Sequence, residues 1–355
     1  MRTILEAIDI ALSHRIPFYA YCMPGCDGIA FGAQTDNGFT CGEGFKIVPF
    51  DISSNHGTKI IYKQLNASEL LTECPEKGDS LLPGISEDST SRSEYMQSIG
   101  LCIEELQAKK LDKVVLSKVI TKTHNIQSWG KFFNKLCDSY PDAFKFIFYS
   151  EETGAWAGAS PEILGNYDNS TFTTMALAGT RKYGTTGDWD NKDIREQEYV
   201  AHYIADTIRR TGIDFTMSDR FTKQAGGVEH LCNLFSLKCT LRQAQDLIEK
   251  LHPTPALAGL PKQKAIELIH KSEHHDREYY GGYIGPFAPN DFHYFVNLRS
   301  MKFDSYKCRI FVGGGIVSDS VPECEWLETE AKSKTLLTLL PNDKQSHRPA
   351  NNLTT

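Results

Sequence analysis

Two stretches of this chain carry carboxylates three residues apart, and the second adds a lysine one turn further on. Asp193 and Glu196 lie in Lys192-Asp-Ile-Arg-Glu-Gln-Glu-Tyr-Val; Glu325, Glu328 and Lys332 lie in Cys324-Glu-Trp-Leu-Glu-Thr-Glu-Ala-Lys. On an α-helix, residues three and four apart share a face, so each stretch presents two acids on one side. Two such faces turned toward each other make an oxygen cage of the type Mg²⁺ prefers, with water and substrate oxygens completing the shell. Lys332 would then hold a substrate anion beside the metal. A single acid pair is more often a solvated face, and the other segments of the C-terminal two-thirds weigh against that here.

Four of those segments carry suitable residue types. Lys113 opens the run Lys113-Val-Val-Leu-Ser-Lys-Val-Ile, where burial would lower its pKa and make it a usable base. Taken alone, a solvated lysine at a strand end is the commoner arrangement. Glu162 follows the turn in Gly158-Ala-Ser-Pro-Glu-Ile-Leu, as a general acid with a raised pKa or simply as the start of the next element. Gly313-Gly-Gly-Ile-Val reads as a strand exit whose bare amides could grip a carboxylate. It is not a dinucleotide fingerprint, because Ser318 stands at the third glycine. Leu251-His-Pro-Thr-Pro-Ala-Leu-Ala-Gly-Leu-Pro is an apolar loop that hands over to a helix with Pro261 near its first turn. Together these residues describe a magnesium-dependent enzyme acting on a small carboxylate substrate.

The elements that must position them read as a mixed chain. Met96, Ile99, Ile103 and Leu106 fall at helical spacing, as do Val200, Ile204 and Ile208 within a helix over 192–212. The N-terminal ten residues form an amphipathic helix, and a last helix spans about 323–340. Segments starting at Ile16, Lys46, Lys113 and Phe144 are strand-like. Phe292 to Met301 alternates as one strand, turns at Asp304-Ser305, and returns through Arg309-Ile-Phe-Val. Residues 75–92, rich in Pro, Gly, Ser and charge, read as a linker, and the polar tail 341–355 as disordered. With 355 residues, 40% hydrophobic and 23% charged, the chain can bury a large core. A net charge of −7 without a basic cluster excludes a nucleic-acid binder. No apolar run is long enough to span a membrane and the N-terminus is not a signal peptide. Ten scattered cysteines suggest reduced thiols and a cytoplasmic protein.

The motifs, taken in order, resemble the chorismate-utilising enzymes. They are Lys113-Val-Val-Leu-Ser-Lys, Gly158-Ala-Ser-Pro-Glu, Leu177-Ala-Gly-Thr-Arg, Asp193-x-x-Glu196 and Val228-Glu-His-Leu. His252-Pro-Thr-Pro-Ala, Arg277-Glu-Tyr-Tyr-Gly-Gly, Gly313-Gly-Gly-Ile-Val and Glu325-Trp-Leu-Glu follow. The resemblance covers roughly residues 92–340. It implies an α+β fold, one large domain of antiparallel sheets packed together with helices outside and the active site in a cleft between them. Residues 1–90 would be a weakly matched N-terminal part and 91–340 the chorismate-binding region.

The same resemblance implies roles. Family members that use a lysine nucleophile carry it where this chain has Ala178, so that route is closed. A lysine at Lys113 matches members that use water, isochorismate synthases first and salicylate synthases second, in menaquinone or siderophore synthesis. Lys113 would be the base and Glu162 the acid, with Mg²⁺ on Glu196 and Glu328 and with Asp193 and Glu325 close by or acting through water. Tyr280, Arg299, Gly313, Gly315 and Lys332 would bind the carboxylates of chorismate, with His230 near the leaving hydroxyl. Gly179 and Thr180 would line the same pocket, and Leu298 and Phe311 its apolar walls. No glutaminase partner is expected, and the protein would be a monomer or homodimer; a catalytically silent chorismate-binding subunit is the reading from outside the enzymes.

Overall fold

Every residue of Phe144–Ser150 is buried, although the segment carries a lysine and alternates no polar face. A strand buried on both sides must lie between two layers, and the computed structural model shows which. Phe144, Phe146 and Phe148 point into a core with Phe45, Ile47, Ile284 and Phe295 of a second sheet, while Ile147 and Tyr149 point into a core with helices. The rings of Phe144 and Phe295 stack at 4.0 Å. Such a pair contributes about 0.5–1.5 kcal/mol beyond its buried area.

The structure describes residues 2–35 and 42–341; most of the polar tail expected at 341–355 lies outside the described residues. The first part of the chain forms α1 (Arg2–His14), β1 (Phe18–Cys22), β2 (Ile29–Ala33), β3 (Gly44–Val48), β4 (Lys59–Tyr62) and α2 (Ala67–Glu73). After the irregular stretch come α3 (Arg92–Gln107), β5 (Lys113–Thr123), α4 (Trp129–Ser139), β6 (Phe144–Ser150), β7 (Gly154–Ser160), β8 (Ile163–Asp168) and β9 (Thr171–Lys182). Next are α5 (Asn191–Arg209), β10 (Phe215–Met217), β11 (Phe221–Ala225), β12 (Val228–Lys238), α6 (Leu241–Leu251), β13 (Gly259–Leu260) and α7 (Lys262–Ser272). The chain closes with β14 (Tyr283–Ala288), β15 (Asp291–Val296), β16 (Ser300–Phe303), β17 (Lys307–Ile316) and α8 (Pro322–Leu337).

Among the described residues the strands form two sheets, of eight strands in the order β13-β5-β17-β16-β7-β6-β1-β2 and of nine around β10-β12-β9-β8-β15-β14-β3-β4. The α+β architecture of stacked antiparallel sheets with outer helices is therefore as expected. Helices α3, α5, α6 and α7 cover one core, and α1, α4 and α8 another. Capping sets two of the starts. Ser91 and Glu94 exchange hydrogen bonds in a capping box at α3, and Asp190 accepts from Asp193 N at α5. No helix of the described residues is long and apolar enough to cross a membrane.

Two local expectations change and a third is refined. Phe292 to Met301 is not one strand: β15 belongs to the second sheet and β16 to the first, with Asn297–Arg299 crossing between them. The alternation runs on in the sequence, but Arg299 adopts φ +49° and the Asn297 amide donates to Tyr279 O at 2.9 Å, which ends the ladder. Gly158–Glu162 is likewise no tight turn: Pro161 and Glu162 carry the chain from β7 across to β8. The two crossings run side by side, Ala159 N donating to Arg299 O at 3.1 Å and Val296 N to Glu162 O at 3.0 Å. Finally, Gly313–Gly315 do stand at the exit of β17, which ends at Ile316, but they are still paired with Ser117, Leu116 and Val115 of β5.

Candidate active site

The short strand β16 creates the site. It pairs with β17 only from Ser300 opposite Phe311 to Phe303 opposite Cys308, while β17 runs on to Ile316. The stretch from Val312 to Gly315 is therefore uncovered on that side and borders a cleft. Every residue expected against the substrate lines this cleft, and so do Glu162 and Glu196. Lys113, Asp193, Glu325 and Glu328 are not part of the lining.

Glycines let the walls approach. A Cβ on Gly315 would stand 2.2 Å from Glu196 Oε1 and 3.0 Å from Lys113 Cε, so both side chains pass over bare backbone. On β9, Gly179 (φ +70°) and Thr180 together face the single residue His230 of β12, because the register steps from Glu229↔Arg181 to Leu231↔Ala178. This is a bulge of the glycine type. It lets His230 Nδ1 donate to Gly179 O at 2.7 Å while Nε2 accepts from Arg299 Nη2 at 3.1 Å. Arginine can only donate, which fixes the tautomer. Burial, then the Arg299 charge, pushes His230 down to about 3, so the ring is neutral. Arg299 also donates to Thr335 Oγ1 at 3.2 Å. Tyr280 stacks on Phe311 at 5.4 Å, and Phe311 on Trp156 at 5.3 Å, making a rigid aromatic wall.

Glu162, 3% exposed at the first crossing, is pushed up to about 8 by burial, against the pull of Lys113 and Lys332. Its carboxyl therefore keeps its proton at neutral pH. Lys113 and Glu162 sit at the ends of β5 and β7 with β17 and β16 between.

The acids expected to hold metal do converge, but lysines stand among them. Lys113 Nζ is 2.9 Å from Glu196 Oε1, a charge contact outside hydrogen-bond geometry. Lys192 donates to Glu325 Oε1 at 2.6 Å, and Lys332 to Glu328 Oε1 at 2.6 Å and Gly313 O at 3.1 Å. Burial acts to raise Glu196, and Lys113, Lys192 and Lys332 more than offset it, holding the carboxylate at about 2. Asp193 accepts from Thr180 N at 3.1 Å, and burial raises it to about 6. Burial, with Glu328 nearby, raises Glu325 despite Lys192. Among the described residues no three acids, histidines or cysteines are arranged to hold an ion as they stand. The donor set nonetheless fits one: Glu325 Oε2 is buried with no hydrogen-bond partner, and Glu325 and Glu328 both reach toward Gly314.

Sequence reasoning missed part of the wall. Ala256 and Leu257 line the cleft from the loop after α6. Arg277, buried and bidentate with Glu273, bolts that loop to β5 by donating to Leu257 O at 3.0 Å and Val115 O at 2.7 Å. The signal present was an acid and an arginine four residues apart beside a motif.

The pattern that defines chorismate binding enzymes matches residues 48–341. The chain belongs to that family. Within the family, isochorismate synthase MenF of Haemophilus influenzae is 26% identical over 260 residues, 69% of this chain and 60% of that protein. Isochorismate synthase EntC of Escherichia coli strain K12 is 32% identical over 243 residues, 64% of this chain and 62% of that one. The chain thus spans about three fifths of the length of these curated relatives. The solved structure of MenF, the menaquinone-specific isochorismate synthase from Escherichia coli, superposes with a TM-score of 0.75 at 21% identity, over 94% of this chain and 91% of that one. It shows that the fold is shared.

Proposed function

We propose that the protein is an isochorismate synthase, exchanging the C4 hydroxyl of chorismate for a hydroxyl from water at C2. The observation that carries this reading is a cleft lined by two glutamates in opposite states, Glu162 held neutral up to about 8 and Glu196 held ionised, with Lys113 directly behind Glu196. Similarity to enzymes named isochorismate synthases supports it.

In this mechanism Lys113, neutral for the moment of reaction, accepts a proton from the water aimed at C2, and Glu162 delivers one to the hydroxyl leaving C4. In the reverse direction the two exchange roles. Arg299, Lys332 and Tyr280 hold the substrate's carboxylates, with charge-assisted hydrogen bonds from the two cations. Neutral His230 accepts from Arg299, fixing the guanidinium in the wall without adding charge. Gly313 and Gly315 keep that wall free of side chains, and Leu298 and Phe311 exclude water from the ring. A bound Mg²⁺, on Glu196 and Glu328 with Asp193 and Glu325 nearby, would stabilise the charge of the ring carboxylate. With Ala178 in place of a lysine nucleophile and water as reactant, no ammonia-supplying subunit is required.

The test is chromatography of products after incubating the protein with chorismate and Mg²⁺ in ¹⁸O-labelled water. Isochorismate labelled at C2 is expected. Salicylate with pyruvate would move the protein to the salicylate synthases, and an amino product in ammonium buffer to the anthranilate branch.

A further inference from the structure

The lysine that stands deepest in the field of the acid cluster is the one with no task in the proposed reaction. Lys192 lies in the first turn of α5, directly after Asn191, where the helix dipole disfavours a cation. Something else must hold its ammonium there. Nζ donates to Glu325 Oε1 at 2.6 Å, and Glu325 is fully buried. Burial works against the charge on Lys192, but Glu325, then Glu328 and Glu196, more than offset it and raise its pKa. The ammonium therefore sits in the combined field of three glutamates, from α5 on one side and α8 on the other.

Lys192 differs from the other two lysines of the cluster in having a way out. The Lys113 side chain is fully enclosed, and Lys332 is tied to both Glu328 and Gly313 O, whereas Lys192 is 23% exposed at a helix end and tied to one carboxylate. Its four-carbon stem is flexible. The bond it makes is also incomplete, since Glu325 Oε2 is buried with no hydrogen-bond partner. One ammonium satisfies one oxygen, whereas a divalent ion with six or more oxygen ligands could engage both.

We propose that Lys192 is a built-in counter-ion that occupies the place between the two acid faces and is displaced when a divalent cation enters. This rests on the reading of Glu196, Glu325 and Glu328 as a metal cage. The tethered ammonium relieves repulsion among the glutamates, so the empty site stays folded. It also makes the metal compete: the apparent affinity is the intrinsic one reduced by the fraction of time Lys192 is away.

The experiment measures Mn²⁺ binding to the chelator-treated full chain by electron paramagnetic resonance of the free ion. Lys192→Met should tighten binding by about tenfold or more, while Lys192→Arg, which keeps the charge, should leave it within a few-fold of the parent. In chelator, Lys192→Met should melt below the parent, and Mn²⁺ should close that gap. Crystals of the unaltered protein soaked in Mn²⁺ give a readout that needs no variant to fold. They should show the ion between α5 and α8, with Lys192 Nζ out of hydrogen-bond range of Glu325. If the parent binds Mn²⁺ there and Lys192→Met binds it no more tightly, or Nζ stays on Glu325, the counter-ion is overturned and the cage stands. If neither protein binds Mn²⁺, the cage falls and takes the counter-ion with it. Binding by Lys192→Met alone would be its strongest support.

Discussion

Glu162 and Glu196 are the same residue type, both buried, both lining one cleft, and they are held in opposite charge states. Glu162 sits at a strand crossing, where its carboxyl has no cation in contact, and burial lifts it to about 8. Glu196 sits on α5, 2.9 Å from the Lys113 ammonium and within the field of two more lysines, and is held at about 2. Desolvation acts upward on both; the distance to the nearest cation decides the outcome. One region thus holds a protonated carboxyl and the other a negative charge, from a single side-chain chemistry.

The comparison can be broken most severely on the Glu196 side. Chelation with EDTA should abolish turnover and Mg²⁺ should restore it, while Glu196→Gln should stay inactive at any Mg²⁺ concentration. Glu196→Gln also leaves Lys113 buried without its carboxylate, which should cost roughly 3–5 kcal/mol in urea unfolding. Full activity and normal stability of this variant would show that Glu196 carries no such charge.

Glu162→Gln is the contrasting change, because an amide resembles a protonated carboxyl. It should fold normally yet lose on the order of 10²–10⁴ in kcat, and Lys113→Ala should lose a similar factor, in both reaction directions. Near-normal kcat of Lys113→Ala in both directions would remove it as the base. Arg299→Ala should act mainly on binding, raising the KM for chorismate roughly tenfold to a hundredfold, as hydrogen bonds to charged groups suggest. A loss confined to kcat would move Arg299 out of the substrate-holding role.

The smallest effect is a pair of opposed pH slopes. Between 4.5 and about 8 the folded chain keeps the Glu162 proton that the unfolded chain releases, so stability falls as pH rises through that window. For Glu196, stability is present above 4.5 and lost as pH falls toward about 2. Each slope is at most about 1.4 kcal/mol per pH unit. Thermal unfolding across pH should show the alkaline loss in the parent and not in Glu162→Gln. Parallel curves for the two would mean that Glu162 is ionised in the fold.

Local signals made much of this legible. Helical spacing marked α3 and α5, and an aromatic-rich run marked β6. The side chains that carry chemistry came from motif order, and the cleft gathers those expected against substrate. What escaped depends on contacts distant in sequence. The alternation from Phe292 to Met301 does not say that its halves join different sheets. Arg277 reaches Val115 O across 162 residues, and an apolar loop such as Ala256-Leu257 advertises no chemistry. The lysines between the acids depend on how the first turns of α5 and α8 meet at Lys192 and Glu325, which helix-face spacing alone does not contain.

The glycines of β17 also limit how this protein could be engineered. Replacing glycine by alanine is a routine route to a sturdier chain, since it restricts the unfolded state. At Gly315 that route is closed, because the added carbon would collide with Glu196 at 2.2 Å and drive an acid of the cluster out of place. Gly100, in the middle of α3 with open space around it, is the better target, where alanine should add about 0.5–1 kcal/mol. A hardened variant should therefore be built from the outer helices inward, leaving the bare strand under the cleft untouched.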